Sequence, residues 1–203
     1  MNICICVATD IEIHQEIMNE IIKSSEHNID LCVTGMGSVQ TTFRLSTCLW
    51  NMDTDLVINA GICGSFSNKY NTGCVVQVVE DNFADLGFED NEKFVPFKSE
   101  FLGMSKLINK PVALTNIPSI RGITVNTVTG SDATAKRWVE LFQPDIETTE
   151  SAAVFYTCSQ LNIPLVCFRA VSNSIGNRDK NSWNIPLAVN NVWLTVKDFI
   201  HKL

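Results

Sequence analysis

The sequence has little positive charge. Its 15 Lys and Arg residues stand against 22 Asp and Glu residues, which gives a formal net charge of −7 at pH 7. Binding to nucleic acid depends on basic side chains that neutralise phosphates, so nucleic acid is not expected to be a main partner. No apolar run approaches the roughly 20 residues of a membrane-spanning helix. The first segment, "MNICICVATD", lacks the basic start of a secretion signal. These absences predict a cytoplasmic protein that does not bind membranes.

Metal and cofactor motifs are also missing. The eight cysteines include no CxxC pair, and none of the three histidines lies close to paired cysteines. Disulfides or a zinc site are therefore less favoured than reduced cysteines used as small core residues. The segment "GMGSVQ" has Gln40 where a dinucleotide fingerprint needs its third glycine, and a P-loop is absent. We expect no metal and no organic cofactor.

Short apolar runs alternate with helical patterns along the chain. The runs predict strands at 3–8, 29–35, 55–61, 73–81, 111–115 and 122–130. The patterns predict helices at 11–24, 38–50, 132–142 and 184–202, and a helix followed by a strand within 149–173. Such alternation is typical of an α/β fold with a mixed, mainly parallel sheet between helical layers. The length of 203 residues predicts one domain, 1–203.

Polar and glycine-rich segments follow the predicted strands. They are "TGMGS" (34–38), "NAGICGS" (59–65), "TVTGSD" (127–132) and "RAVSN" (169–173). Taken singly, the glycines are explained by tight turns. Taken together at the carboxyl ends of parallel strands, they favour close approach of the backbone to a small ligand.

Several of these segments resemble the nucleoside phosphorylase/nucleosidase superfamily, over essentially the whole chain. The resemblance rests on "ATDIEI", "VINAGICGS", "TESAA" and "NIPLVCFRAVSN". Three further segments, "FADLGFED", "RGITVNTVTGS" and "GNRDKNSWNIPLA", are similar to the futalosine hydrolases within that superfamily. The resemblance implies a nucleoside phosphorylase-like fold and a cofactor-free homodimer. It also implies hydrolysis of futalosine to hypoxanthine and dehypoxanthine futalosine, a step of menaquinone biosynthesis.

The resemblance assigns two carboxylates to the sugar. Glu12 is expected to orient and activate the attacking water; otherwise it is a solvated carboxylate on a first helical turn. Glu150 is expected to accept hydrogen bonds from the ribose hydroxyls and to support positive charge on the sugar; otherwise it is an acid favoured at a helix N-terminus. Arg169 orients an acid of this site, or forms an ion pair elsewhere. Thr149 stands where nucleosidases usually have Met. Thr149 and Arg169 are both expected among the substrate-binding residues.

The resemblance assigns recognition of the purine base to Asn173, at a position where adenine-specific nucleosidases carry aspartate. An amide has both a donor and an acceptor, so it suits a 6-oxopurine better than adenine; otherwise Asn173 caps a turn. The other expected substrate-binding residues near the sugar and base are Ile62, Cys63, Gly64 and Ser172.

The 5′ end of the nucleoside is expected to meet Trp183 and Leu187, although Trp183 is also explained as core filler. Futalosine carries a carboxyphenyl group at this end, and Arg178 or Lys180 is a candidate partner for its carboxylate. Phe83 and Phe88 are expected at a subunit interface.

Three alternatives stay open. Related phosphorylases carry an arginine near the glycine loop and a Gly-Asp-Pro loop near the amino terminus, where this chain has Asn59 and "ATDIE". Water is therefore favoured over phosphate as nucleophile, but a 6-oxopurine nucleoside phosphorylase remains an alternative. A methylthioadenosine/adenosylhomocysteine nucleosidase is the second alternative. A nucleoside-binding module without turnover is the third.

Overall fold

A computed structural model describes residues 1–91, 93–97, 107–108, 117–176 and 182–203. Strands and helices alternate in this part of the chain, as predicted. The strands are β1 (Asn2–Val7), β2 (Asn28–Val33), β3 (Leu56–Ser65), β4 (Val75–Asp81), β5 (Gly87–Asp90), β6 (Lys93–Pro96), β7 (Leu107–Ile108), β8 (Ser119–Thr124), β9 (Ile146–Thr148) and β10 (Leu165–Ser174). The helices are α1 (Gln15–Ser24), α2 (Ser38–Trp50), α3 (Asp132–Phe142), α4 (Ser151–Leu161) and α5 (Ile185–Ile200).

The main sheet is mixed and mostly parallel. β3 pairs in parallel with β1 and β10, and β1 pairs in parallel with β2. β10 continues antiparallel to β4, which leads through parallel pairs to β8 and β9. β9 then returns to pair antiparallel with the end of β3. The prediction of an α/β fold with a mixed, mainly parallel sheet is confirmed.

The core lies on both faces of this sheet. Successive side chains of β1 point to opposite faces and take part in both halves of the core. Ile3, Ile5 and Val7 pack with the apolar sides of α1 and α5. Cys4 and Cys6 pack on the other face with residues of α2 and α4. All eight cysteines are free and six are buried, so most of them fill the core as small side chains, as predicted.

Some predicted boundaries were wrong. The helix predicted at 11–24 begins only at Gln15, because His14 is extended and caps α1 by accepting the N–H of Ile17. Asp10–Glu12 forms a separate 3₁₀ turn. The segment 59–65 is not a loop, since β3 runs to Ser65.

The strand predicted at 122–130 ends at Thr124, and the one predicted at 111–115 lies outside the described residues. β9 and the hairpin of β5 and β6 were not predicted. Within the described residues, no helix has the length and apolar character needed to cross a membrane.

Candidate active site

A cleft of about 310 Å³ opens at the carboxyl ends of β1, β3 and β10. These strands are parallel, so the segments that follow them meet at one edge of the sheet. Most of the residues predicted for the site line this cleft: Glu12, Ile62, Cys63, Gly64, Thr149, Glu150, Ser172, Asn173 and Trp183.

Glu12 is held by backbone donors on two sides. Its Oε2 accepts from the N–H groups of Ala8 (3.0 Å) and Thr9 (3.3 Å), and its Oε1 accepts from that of Ile62 (2.9 Å). The side chain is only 6% exposed. Burial raises the pKa of Glu12, Arg169 and the N–H donors oppose that rise, and the neighbouring Glu150 carboxylate adds to it. The site therefore contains a fixed carboxylate with increased proton affinity, as a general base requires.

Glu150 lies at the start of α4 and is 5% exposed. Its Oε1 accepts a 2.9 Å hydrogen bond from the N–H of Gly37, the residue before α2, and another from the hydroxyl of Thr149. Within the described residues no donor reaches Oε2, which leaves this oxygen available to a ligand in the cleft. The arrangement suits a carboxylate that accepts hydrogen bonds from sugar hydroxyls.

Arg169 lies beneath the cleft and does not line it. The side chain is fully buried, with Nε donating to Ser151 Oγ (3.1 Å) and Nη2 donating to Asn59 Oδ1 (2.5 Å). A Cβ at Gly61 would come within 2.2 Å of Arg169 Nη1 and 2.7 Å of Glu12 Oε1. The missing side chain at Gly61 thus lets the guanidinium approach Glu12. Orientation of this acid by Arg169 stays a prediction.

Asn173 reaches the cleft from the end of β10. Its Oδ1 accepts from Ser172 Oγ (2.8 Å), which also contacts the carbonyl of Cys63 (3.1 Å). Its Nδ2 donates to the carbonyl of Ser174 (2.9 Å). One N–H and one lone pair of the amide remain for a ligand.

The structure places the two residues predicted to contact the 5′ end of the nucleoside in different surroundings. Trp183 lines the cleft. Leu187 does not: it lies in the first turn of α5, is 40% exposed and sits beside Gly73. Arg178 and Lys180 lie outside the described residues. Phe83 is half-buried and Phe88 is 50% exposed, and the interface predicted for both stays untested.

Sequence reasoning missed several residues of the cleft, among them Glu147, Ile11 and Ile175. Met36, Val128 and Thr129 also line it and belong to the segments 34–38 and 127–132, which were expected to approach a ligand. Glu147 lies in the three-residue strand β9, which is too short to show a hydrophobic pattern. Among the described residues, no group of three or more His, Cys, Asp or Glu side chains is arranged to hold a metal ion.

Comparison with known proteins identifies relatives. The chain is 32% identical over 174 residues to the futalosine hydrolase of Acidothermus cellulolyticus, an alignment that covers 79% of this chain and 70% of that enzyme. It is 24% identical over 187 residues to the 5′-methylthioadenosine/S-adenosylhomocysteine nucleosidase of Psychromonas ingrahamii, covering 85% and 80% of the two chains.

The fold matches solved structures as well. The futalosine hydrolase of Helicobacter pylori superposes with a TM-score of 0.80 at 13% identity, over 100% of this chain and 98% of that one. The predicted resemblance and the expectation of an enzyme are both confirmed by these relatives. The family model of the phosphorylase superfamily matches residues 8–201, and the chain belongs to this superfamily.

Proposed function

We propose that this chain is a purine nucleosidase that hydrolyses futalosine to hypoxanthine and dehypoxanthine futalosine. One observation carries the proposal: Glu12, Glu150 and Asn173 converge on a single cleft, as separate groups for water, sugar and base. The Acidothermus cellulolyticus relative bears the name of this activity. On the same resemblance, the reaction belongs to menaquinone biosynthesis and takes place in the cytoplasm.

Cleavage of an N-ribosidic bond creates positive charge on the sugar. In the proposed mechanism, Oε2 of Glu150 accepts hydrogen bonds from the ribose hydroxyls and its charge stabilises the cationic transition state. Glu12 orients a water on the sugar and takes its proton as the new C–O bond forms. The three backbone donors to Glu12 keep this carboxylate in place during the reaction.

The departing base takes up the bonding electrons and needs stabilisation. The free N–H of Asn173 donates to the 6-oxo group, and its Oδ1 accepts from a protonated N7. Asn173 has no acidic proton, so N7 takes its proton from solvent in the cleft. Trp183 offers an aromatic face to the 5′ substituent.

Water is the proposed nucleophile because the described part of the cleft offers no cation for phosphate. Among the described residues, no Lys or Arg side chain lines the cleft. Arg169 is the nearby cation, and Asn59 and Ser151 already bind it beneath the floor.

A methylthioadenosine/adenosylhomocysteine nucleosidase is the second candidate, since the Psychromonas ingrahamii relative is aligned over 85% of this chain. One experiment separates the candidates. Purified protein is incubated with futalosine, inosine and methylthioadenosine, with and without phosphate, and the released base is measured by chromatography.

Hypoxanthine release from futalosine that does not depend on phosphate supports the proposal. Faster adenine release from methylthioadenosine supports the second candidate, and ribose 1-phosphate products indicate a phosphorylase. No base release from any of the three contradicts both nucleosidase proposals and leaves a binding module.

A homodimer is part of the proposal. Val39, Phe43 and Trp50 lie on one side of α2 and are 81%, 72% and 77% exposed. This apolar row is larger than isolated surface residues explain. It starts near Met36, which lines the cleft. We infer that a second copy of the chain covers this row.

A further inference from the structure

A pair of thiols outside the cleft lies between β2 and α2. Cys32 is near the end of β2 and is buried, and Cys48 is in the last turn of α2 and is half-buried. The Cys32 thiol donates to Cys48 Sγ, with 3.0 Å between the two sulfur atoms. This distance is about 1 Å longer than a disulfide bond. Small rotations of the two side chains are therefore enough to bring the sulfur atoms to bonding distance.

The two cysteines enclose a turn that contacts the candidate active site. They are 16 positions apart, and the chain between them includes the turn from β2 into α2. This turn carries Gly37, whose N–H donates to Glu150 Oε1 (2.9 Å). A bond between the sulfur atoms would close a ring around the turn and would restrict the unfolded states of this part of the chain.

Cys48 is the thiol of this pair that a reagent can reach, because Cys32 is only 2% exposed. Cys48 comes nine positions after Val39 and therefore lies on the opposite side of α2, away from the proposed dimer contact. Burial raises the pKa of the Cys48 thiol to about 11, and the neighbouring Cys32 adds to that rise. The Cys4 thiol and burial raise the pKa of Cys32 as well. Cys48 thus reacts first, and slowly at neutral pH.

We propose that Cys32 and Cys48 form a reversible disulfide by exchange with a low-molecular-weight disulfide such as oxidised glutathione, and that this bond fastens α2 to β2. The Cys48 thiolate attacks one sulfur of oxidised glutathione and releases one glutathione thiolate. Cys32 then loses its proton and attacks Cys48 Sγ, which releases the second glutathione. Two protein thiols are oxidised while one glutathione disulfide is reduced to two thiols. The inference does not depend on the proposed function.

The test is a map of the disulfides in the folded protein. The protein is incubated with oxidised glutathione in mildly alkaline buffer, free thiols are blocked with iodoacetamide, and tryptic fragments are identified by mass spectrometry. Trypsin places Cys32 in fragment 24–44 and Cys48 in fragment 45–69. We expect these two fragments to be linked, the intact chain to keep the mass of a monomer, and dithiothreitol to reverse the link.

Two serine variants assign the bond. Cys48→Ser should abolish the link, which excludes Cys63, the other cysteine of fragment 45–69. The matched control is Cys74→Ser, because Cys74 is also half-buried but its sulfur contacts the carbonyl of Val75 (3.8 Å). This control should form the link as the wild type does. A link that persists in Cys48→Ser would overturn the assignment.

Thermal denaturation tests whether the bond fastens α2. The oxidised wild type should unfold about 5–10 °C above the reduced protein, since the ring lowers the entropy of the unfolded chain. Cys48→Ser should show no such difference. A linked protein whose unfolding midpoint is unchanged or lower would contradict the fastening of α2. A lasting glutathione adduct on Cys48, a link between fragments 1–23 and 24–44, or no oxidation at all would overturn the inference.

Discussion

The carboxylate of Glu150 accepts a 2.9 Å hydrogen bond from the backbone N–H of Gly37, which lies 113 positions earlier in the chain. Gly37 precedes α2 and Glu150 precedes α4, so the starts of two helices meet at this carboxylate. The N-terminal ends of helices stabilise negative charge. The fold therefore keeps Glu150 in a position where an anion is favoured, which is what the proposed sugar contact requires.

Glu150→Gln is expected to reduce turnover of futalosine by at least about a hundredfold, equivalent to about 2.7 kcal/mol of transition-state stabilisation. The amide keeps an oxygen for Gly37 but loses the charge that supports the cationic sugar. The unfolding midpoint should change little. Steady-state kinetics and thermal denaturation test this, and wild-type turnover in the variant would show that Glu150 does not act on the sugar.

Glu12→Gln is an informative comparison with Glu150→Gln because both carboxylate oxygens of Glu12 accept hydrogen bonds from the backbone. Its NH₂ group would face either Ile62 or the N–H pair of Ala8 and Thr9. An unpaired buried donor costs about 1–3 kcal/mol. This variant should therefore lose stability as well as at least about a hundredfold in turnover. Equal stability of the two glutamine variants would argue against the described hydrogen bonds of Glu12.

The pH dependence of futalosine cleavage should report Glu12. The proposed base must be ionised, and burial raises its pKa above the ordinary value of 4.5. As pH falls, kcat/KM should therefore decline with a midpoint above 4.5. Glu150 contributes to this raised pKa, so Glu150→Gln should move the midpoint down, while Arg169 remains in place. A midpoint that is identical in the wild type and in Glu150→Gln would contradict the assignment to Glu12.

Much of this site was predictable from the sequence because its residues lie at or just after the ends of predicted strands. The helices Ser38–Trp50 and Asp132–Phe142 have the bounds that their sequence patterns indicate. The position of Arg169 was not predictable, since a charged residue in an apolar strand can point into a cleft or lie beneath it. Here Asn59 and Ser151, from separate elements, hold it below.

Asn173 illustrates a second limit. The register of β10 against β3 shifts between Val171 and Asn173. Without this irregularity, strict alternation would place Asn173 on the same face as Val171, which packs in the core beside α4. Such irregularities re-aim side chains at functional sites, and hydrophobic patterns do not reveal them.

Gly61→Ala should disturb the site from below. A Cβ there would lie 2.2 Å from Arg169 Nη1 and 2.7 Å from Glu12 Oε1, so both groups must shift. Overpacking of this kind costs about 1–3 kcal/mol. We expect a lower unfolding midpoint together with reduced turnover. A variant with wild-type stability and turnover would show that the close packing around Gly61 is not required.

Phe43→Glu should prevent dimer formation. Phe43 is 72% exposed in the apolar row of α2, and a charge there would be buried without a partner in the proposed dimer. Sedimentation equilibrium should give a dimer for wild type and a monomer for the variant. Ala133→Glu, which adds the same charge to an exposed position of α3, should leave the dimer intact. A monomeric wild type would contradict the proposed assembly.

Asn173→Asp should weaken the preference for 6-oxopurines. The amide donates to the carbonyl of Ser174 (2.9 Å) and has one N–H left for the 6-oxo group. A carboxylate would keep the hydrogen bond from Ser172 but would place an oxygen against both the Ser174 carbonyl and the 6-oxo group. A mispaired buried polar group costs about 1–3 kcal/mol, so hypoxanthine release should fall by about tenfold or more.

The variant and the wild type are compared on futalosine and its 6-amino counterpart, since a shared 5′ group removes any difference at Trp183. An unchanged ratio of kcat/KM between the two substrates would show that Asn173 does not recognise the base, and would move that role to the segment 127–132.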